Sequence, residues 1–450
     1  MKAFVTDGDQ RPALAIVRSL GRRGVSVLVG EEHPVSLASS SKYCVRHVTY
    51  PSPERHPEAF QRFLLEFVAR ERMDVIVPVT DVTTHWISMN QDKLKRHSAV
   101  AAPPFEAFDF VTDKWSLLQC AARCGIPIPR THFVDSIAGL KALVDRVDYP
   151  AVVKPVRSRI PTDRGWLRAS AHYADSEIDL WRLYQETDYL ASYPSLIQER
   201  IVGPGLGVFV LFDHGRPLAT FAHRRLREKP PSGGVSVLRE SVPLDPRLRD
   251  YAVRMLAPLG WHGFAMMEYK QDRRTGNVFL MEVNGRPWGS LQLAIDAGVD
   301  FPYLSYQIAL GHRPDVIETY RLGVKSRWLL GDLDHLLLRL FNSDRALHLP
   351  GFAPSRWHTL VDFLKFAEPG LHYEVISGAD PRPFLYELCR YGRDLSASVM
   401  QLVWRRVARG ATVVKDLLGR HPQRHTTEAT MLARPGNSHI TRTRWFKAQE

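Results

Sequence analysis

The sequence predicts an α/β protein: a parallel-sheet domain, a second α/β domain containing a β-hairpin, and an α-rich C-terminal extension. Three observations lead there. Residues 1–30 read strand, turn, helix, strand, and the strands are apolar along their whole length, as strands covered on both faces must be. Residues 264–284 hold two runs, FAMMEYK and VFLMEVN, separated by the turn QDRRTGN, which is a hairpin pattern. Beyond Gly311, the stretches DHLLLRLF, HTLVDFLKFA and PRPFLYELC read as helices.

The composition is that of ordinary globular material. The 450 residues suffice for about three domains. Hydrophobic residues make 44% and charged residues 24%, with 29 Gly and 31 Pro and no repeat, which excludes low-complexity and collagen-like classes. Cys44, Cys120, Cys124 and Cys389 form neither a disulfide framework nor a zinc pattern. Cys120 and Cys124 lie at i,i+4 on one helix face, where a buried thiol pair is the simpler reading. No stretch reaches the roughly 20 apolar residues of a spanning helix, and the charged start MKAFVTDGDQR is not a secretory signal, so a cytoplasmic location is expected.

Taken in order, KAFVT, ALAIVRSLGRRG and VSVLVG form the first strand, helix and strand, and PEAFQRFLLEFVARER feeds a further strand, VIVPV. Both units end in polar turns, Asp7 to Asp9 and Thr80 to Asp81, where open α/β sheets bind ligands. The first turn lacks G-x-G-x-x-G and places two carboxylates where a pyrophosphate would approach, which argues against a dinucleotide domain. Near residue 110 the character changes. A helix capped by Thr112 or Asp113 runs to Gly125, then come the strands AVVKPV and SLIQERIVG. GVFVLFD and RPLATFA form a pair turned by His214-Gly215, and REKPPSGG at 227–234 reads as a loop. Residues 287–310 predict two short helices interrupted at Gly298.

The hairpin has the most informative geometry. A register centred on Thr275 sets Glu268 opposite Glu282, and the strand period of two puts Asn284 on the same face. Ala265, Met267, Tyr269, Phe279, Met281 and Val283 then form the apolar face. Facing carboxylates need a cation between them. Lys270 or Arg286 reaching over is one solution; a magnesium ion held by hard oxygen donors is the other. Lys154 ends an apolar strand and Lys114 opens a helix, and each must reach water or meet an anion.

The order of these parts resembles the ATP-grasp superfamily: Asp113-Lys114, PAVVKP, IQERIVG, a Gly-Pro loop, Glu268, then MEVNGRPWGS with Glu282-x-Asn284-x-Arg286. The likeness is to its carbamoyl-phosphate-synthase-like and biotin-carboxylase-like branch and covers about residues 1–310. It implies a parallel-sheet domain over 1–109 and an ATP-grasp domain with a lid over 110–310; outside the likeness, the helical stretches beyond Gly311 and the polar, basic end give a helical extension over 311–420 and a basic tail over 421–450. It implies that Lys114 and Lys154 contact ATP phosphates. Gln198, Glu199, Arg200 and Ile201 would form the adenine hinge, with backbone groups of Glu199 and Ile201 on the adenine edge. Glu268, Glu282 and Asn284 would hold Mg2+, with Mn2+ as an alternative ion. Arg286 would reach the transferred phosphate or the activated carboxylate, with Arg224 and Arg225 as further candidates. Two departures stand out. VRSRIPTDRGW replaces a glycine-rich phosphate loop, so that Arg157, Ser158 and Arg159 would act by side chain, and Gly285 stands where the motif usually has proline.

The implied reaction is carboxylate activation as an acylphosphate followed by joining to an amine, with ADP and phosphate released. The partners would be a small-molecule carboxylate and an amine, and a homodimer is an expected assembly. His223 and His262 are read as packed residues rather than general bases. The net charge of +12 supports a competing class. Residues 401–450 hold ten basic and three acidic residues, and a basic amphipathic helix with Val399, Leu402, Val403 and Val407 on one side could serve a noncatalytic nucleic-acid or anionic-membrane binding protein.

Overall fold

The structure is a computed structural model in which residues 1–396 are described. Residues 1–391 form one compact unit. The amphipathic helix and basic tail expected after residue 396 lie outside the described residues.

The N-terminal sheet has five parallel strands: β1 (Lys2–Val5), β2 (Ser26–Glu31), β3 (Cys44–Thr49), β4 (Val75–Val77) and β5 (Ala99–Val100), in the order β3-β2-β1-β4-β5. Both faces are covered, which explains the unbroken apolar strands. Ala3, Val5, Val27 and Val29 share a cluster with Leu14, Val17 and Leu20 of α1 (Arg11–Arg22). Phe4, Leu28 and Ile76 on the other face share one with Phe60, Leu64 and Phe67 of α2 (Pro57–Glu71). Two short helices follow β4, α3 (Asp81–Met89) and α4 (Gln91–Leu94), then α5 (Phe105–Thr112) and α6 (Lys114–Arg123). The helix expected to be capped at Thr112 or Asp113 is α6, and the cap is Asp113, whose carboxylate accepts from Ser116 N.

Residues 131–199 form a small antiparallel sheet of β6 (Thr131–Val134), β7 (Ala151–Pro155), β10 (His172–Ala174) and β11 (Ser195–Glu199) in the order β10-β7-β11-β6. The helices α7 (Ile137–Leu143), α8 (Glu177–Glu186) and α9 (Asp188–Ser192) belong to this region, and residues of all three share one apolar core with the sheet. Between β7 and β10 lies a two-stranded hairpin, β8 (Arg159–Thr162) and β9 (Gly165–Arg168). It begins within VRSRIPTDRGW, the segment that stands in place of a glycine-rich phosphate loop. Trp166 inserts beside His85 and Trp86 of α3, and its N–H donates to the Glu54 carbonyl, so the hairpin leans on the N-terminal domain.

The central sheet has seven strands in the order β16-β15-β12-β13-β14-β17-β18. They are β12 (Gly205–Asp213), β13 (Arg216–Lys229), β14 (Val235–Ser241), β15 (Gly263–Gln271), β16 (Val278–Asn284), β17 (Lys325–Arg327) and β18 (Leu371–Tyr373). α10 (Pro246–Leu256) packs on Val208, Val210 and Phe212. On the opposite face, Phe209, Leu211 and Phe221 meet α11 (Leu291–Ala297) and α12 (Phe301–Ala309) in a core continuous with that of α1. Gly298, at φ 109°, separates these two helices as expected. β13 runs seven residues beyond the predicted strand, so the loop shrinks to 230–234.

The C-terminal extension supplies α13 (Leu329–Phe341), α14 (Arg356–Phe363) and a helix opening at Arg382. It also adds β17 and β18, which the sequence did not suggest. Buried ion pairs fix it in place. Asp332 accepts from Arg227 at 2.6 and 2.7 Å and from Arg327 at 2.6 Å, and Arg18 of α1 pairs with Asp380 at 2.9 Å.

Candidate active site

The hairpin of β15 and β16 places Glu268 directly opposite Glu282 and Met266 opposite Asn284, as the register arithmetic requires. A bulge between Glu268 and Tyr269 shifts the pairing by one residue toward the turn. Leu280, not Met281, lies across from Tyr269 and enters the core, while Met281 is displaced from the expected apolar face onto the wall of a cavity of about 1520 Å³. Asn284 Nδ2 lies 3.3 Å from Glu282 Oε1.

Four cations converge on this carboxylate pair. Lys114 Nζ stands 3.5 Å from Glu282 and donates to Ser158 Oγ at 2.7 Å. Lys154, on β7, points from the opposite wall, with its Nζ 3.9 Å from Met281 Sδ. Arg286 follows the hairpin and donates to Asp81 at 3.1 Å, linking the second strand-end turn to the metal-type motif. Arg225 lies 2.5 Å from Glu268 and 3.0 Å from Glu228. The cations that neutralise the facing acids are therefore Arg225 and Lys114, not Lys270, which pairs with Glu228 at 3.3 Å.

Electrostatics follow from this crowding. Burial alone would raise the Glu282 carboxyl, but Lys114, Lys154, the Asn284 amide and Arg286 outweigh it and pull it down to about 2. Lys154 is pushed below the ordinary lysine range by burial, only partly opposed by Glu282. Arg225 and Arg286 are raised despite burial by their carboxylate partners. A site with this many held cations is built to receive negative charge.

The remaining expected residues divide. Gln198, Glu199, Arg200 and Ile201 all line the same cavity at the end of β11. Glu199 N–H, however, already donates to the Arg130 carbonyl at 3.0 Å, so of the Glu199 groups expected on an adenine edge this one is taken. Its carboxylate also turns away, to Arg130. Gln198 Nε2 donates to Thr131 at 2.9 Å, and Arg200 stacks over Tyr173 and donates to the His348 carbonyl of the extension. Arg224 does not belong to the site. Adjacent residues on a strand face opposite ways, so with Arg225 turned inward, Arg224 is exposed and pairs with Glu240 at 3.1 Å. Arg157 is likewise spent on Asp109, at 2.6 Å, whereas Ser158 and Arg159 line the cavity.

Of the two polar strand-end turns, only Thr80 to Asp81 reaches the cavity, with Gln10 and Arg11 beyond the first turn. Asp7 is internal: it accepts from Thr83 Oγ1 at 2.5 Å and Thr80 N at 2.9 Å, and burial raises its carboxyl against these hydrogen bonds. His223 and His262 are buried, and burial holds both imidazoles below the ordinary range. Glu228 is a site residue that sequence reasoning missed, and Asp81 entered it only as part of a ligand-binding turn, without its partner. Glu228 sat in a segment read as loop, and nothing in Asp81 itself announces a partner 205 positions away.

Residues 192–330 match the family model described as ATP-grasp in the biosynthetic pathway with Ter operon. The biotin carboxylase of Campylobacter jejuni, solved as a β-γ-ATP complex, superposes with a TM-score of 0.58 at 16% identity, over 72% of this chain and 74% of that one. The chain has the ATP-grasp fold. Other structural neighbours are the L-amino acid ligase of Bacillus licheniformis and an N5-carboxyaminoimidazole synthetase of Staphylococcus aureus solved with ADP. The first gives a TM-score of 0.54 at 18% identity over 69% of this chain and 74% of that one. The second gives 0.56 at 12% over 72% and 80%. In sequence, the chain is 25% identical over 209 residues to the formate-dependent phosphoribosylglycinamide formyltransferase of Mannheimia succiniciproducens, covering 46% of this chain and 47% of that protein. The corresponding enzyme of Rhodococcus jostii is 26% identical over 145 residues, 32% of this chain and 33% of its own. The chain thus spans about half or less of the length of these curated relatives.

Proposed function

We propose that the protein is an ATP-dependent carboxylate-amine ligase that works through an acylphosphate and releases ADP and phosphate. The observation that supports this most is the convergence of Lys114, Lys154 and Arg286 on Glu282, opposite Glu268, inside one large cavity.

In this reading Lys114 and Lys154 bind the ATP phosphates, and the 198–201 segment takes the adenine through the Glu199 carbonyl and the Ile201 N–H. Glu268, Glu282 and Asn284 supply hard oxygen donors that suit Mg2+ or Mn2+, and the surplus of nearby cations suits a polyphosphate arriving with the metal. Held by Glu268, Glu282 and Asn284, such an ion would supply positive charge against the phosphates. The substrate carboxylate attacks the γ-phosphorus and the bond to the β-phosphate oxygen breaks, giving ADP and the acylphosphate. The amine then attacks the acyl carbon, the carbon–oxygen bond to phosphate breaks, and the amine proton leaves to phosphate or water. Arg286, fixed by Asp81, orients the transferred group, and Arg225 holds Glu268 in place. No enzyme nucleophile is required, because positioning and charge neutralisation lower this barrier.

The acid and amine are small molecules whose chemistry a screen can define. Incubating the full chain with ATP, Mg2+ and panels of acids and amines should give ADP only with the correct pair; AMP and pyrophosphate would reject the class. A homodimer is the proposed assembly, since the biotin carboxylase domain of the Hydrogenobacter thermophilus 2-oxoglutarate carboxylase is a dimer in complex with MgADP. A cytoplasmic location is likewise proposed; among the described residues no helix is long and apolar enough to cross a membrane. The nucleic-acid or acidic-lipid reading rests on charge beyond residue 396, outside the described residues.

A further inference from the structure

At the far end of β12 from the phosphate cavity, three side chains form a separate cluster. Asp213 closes β12, His214 opens the turn to β13, and His262 immediately precedes β15. Gly205 lines the cavity and Asp213 does not; eight strand residues separate them, about 26 Å at the usual rise. Among the described residues, these are the only three His, Cys, Asp or Glu side chains whose ligand atoms all lie within 4.8 Å of one another. His262 Nδ1 lies 3.3 Å from Asp213 Oδ1, and His214 Nε2 lies 4.0 Å from the same oxygen. The two imidazoles stack at 4.4 Å.

A second observation points to a ligand. His262 is 7% exposed, yet its Nδ1 has no hydrogen-bond partner although it faces Asp213. The two groups form an ion pair whose hydrogen-bond angle is not met, and a shared cation would satisfy the buried nitrogen. We infer that Asp213, His214 and His262 form a binding site for a zinc-class divalent cation, distinct from the magnesium-type site. For zinc bonds of about 2.0–2.1 Å, the edge of a tetrahedron is about 3.4 Å. The Asp213–His262 pair already has that spacing, while His214, on an exposed turn, stands 4.0 Å from the carboxylate and within 4.8 Å of the His262 nitrogen and must swing inward to join them. Two imidazoles and one carboxylate favour zinc over magnesium, which prefers an all-oxygen shell. Lys95 is the further charge felt by His262, and Asp213 offsets its repulsion of a cation. Zinc here would staple the β12–β13 turn to the entry of β15, a stabilising role away from the chemistry.

The test uses the full chain, stripped of metal and dialysed against zinc chloride in excess Mg2+, so that Glu268 and Glu282 do not compete. His214→Asn is the first variant, because His214 sits at φ 46°, which Asn tolerates. Asp213→Asn is the second. The expected result is one zinc fewer per chain in each variant, and a zinc-dependent rise in Tm that the wild type shows and both variants lose. Zinc held elsewhere is common to all three and cancels. Equal zinc content in wild type and variants, or an equal Tm rise, overturns the site.

Discussion

Replacing Arg225 with Met tests whether the cation beside Glu268 is integral to the site. The Arg225 side chain is 8% exposed and is held at 2.5 Å by Glu268 and 3.0 Å by Glu228, themselves 18% and 12% exposed. Removing one partner of a buried ionic cluster typically costs about 3–5 kcal/mol, because the other charges stay buried. Here Glu228 keeps Lys270 at 3.3 Å, so a cost near the lower end, about 3 kcal/mol, is expected. Adding Glu268→Gln to Arg225→Met should recover part of that loss. The variant should also respond more to metal. Arg225 occupies a Glu268 oxygen that Mg2+ would use, so freeing it should tighten nucleotide-free Mg2+ binding; at ten times the Kd, bound metal returns about 1.4 kcal/mol. Urea unfolding followed by tryptophan fluorescence, with and without Mg2+, reads both effects. A variant within about 1 kcal/mol of wild type, or equal Mg2+ stabilisation of both, would refute the arrangement.

Glu282→Gln keeps the volume but removes an anionic ligand and the focus of Lys114 and Lys154, so Mg2+-dependent ATP turnover should fall by about 100-fold, or 2.7 kcal/mol in the barrier, with the fold intact by circular dichroism. Lys154→Met should weaken ATP binding by roughly 10- to 100-fold in calorimetry, the usual worth of a charge-assisted hydrogen bond. Because burial lowers the Lys154 ammonium, ATP-free protein should lose this charge below the ordinary lysine range, and Lys154→Arg should abolish that alkaline change in binding. Glu31, at the end of β2, is raised to about 7 by burial and by Asp7 and Asp9, against hydrogen bonds from Asp9 N and Glu32 N. The folded state therefore keeps a proton that the unfolded chain releases near 4.5. Its contribution to stability is full below 4.5 and is lost as pH rises through 7, a fall of about 3 kcal/mol that should be absent from the pH–stability profile of Glu31→Gln.

Much of this architecture was legible because local patterns agreed with one another. The apolar strands at both ends of α1 declared a doubly covered sheet, and QDRRTGN between two apolar runs declared the hairpin with its register. What escaped was set by contacts rather than pattern. The bulge that moves Met281 into the cavity inserts one residue and leaves no mark in composition. Arg224 and Arg225 carry the same chemistry, so only the phase of β13 decides which faces the acids. The hairpin of β8 and β9 was hidden by Pro161, which reads as a strand breaker in a segment without an apolar run. β17 and β18, three residues each, are too short for any periodicity and exist because the edge of β14 receives β17, which in turn receives β18. Asp81 gains its role only when the fold brings Arg286 to it.

The most direct test of the ligase reading follows the oxygen. With an acid and amine that support ADP release, the carboxylate is labelled with 18O and the released phosphate is analysed by mass spectrometry. An acylphosphate route predicts one labelled oxygen transferred to each phosphate, with none from solvent water. Unlabelled phosphate, or label appearing in AMP, would contradict it.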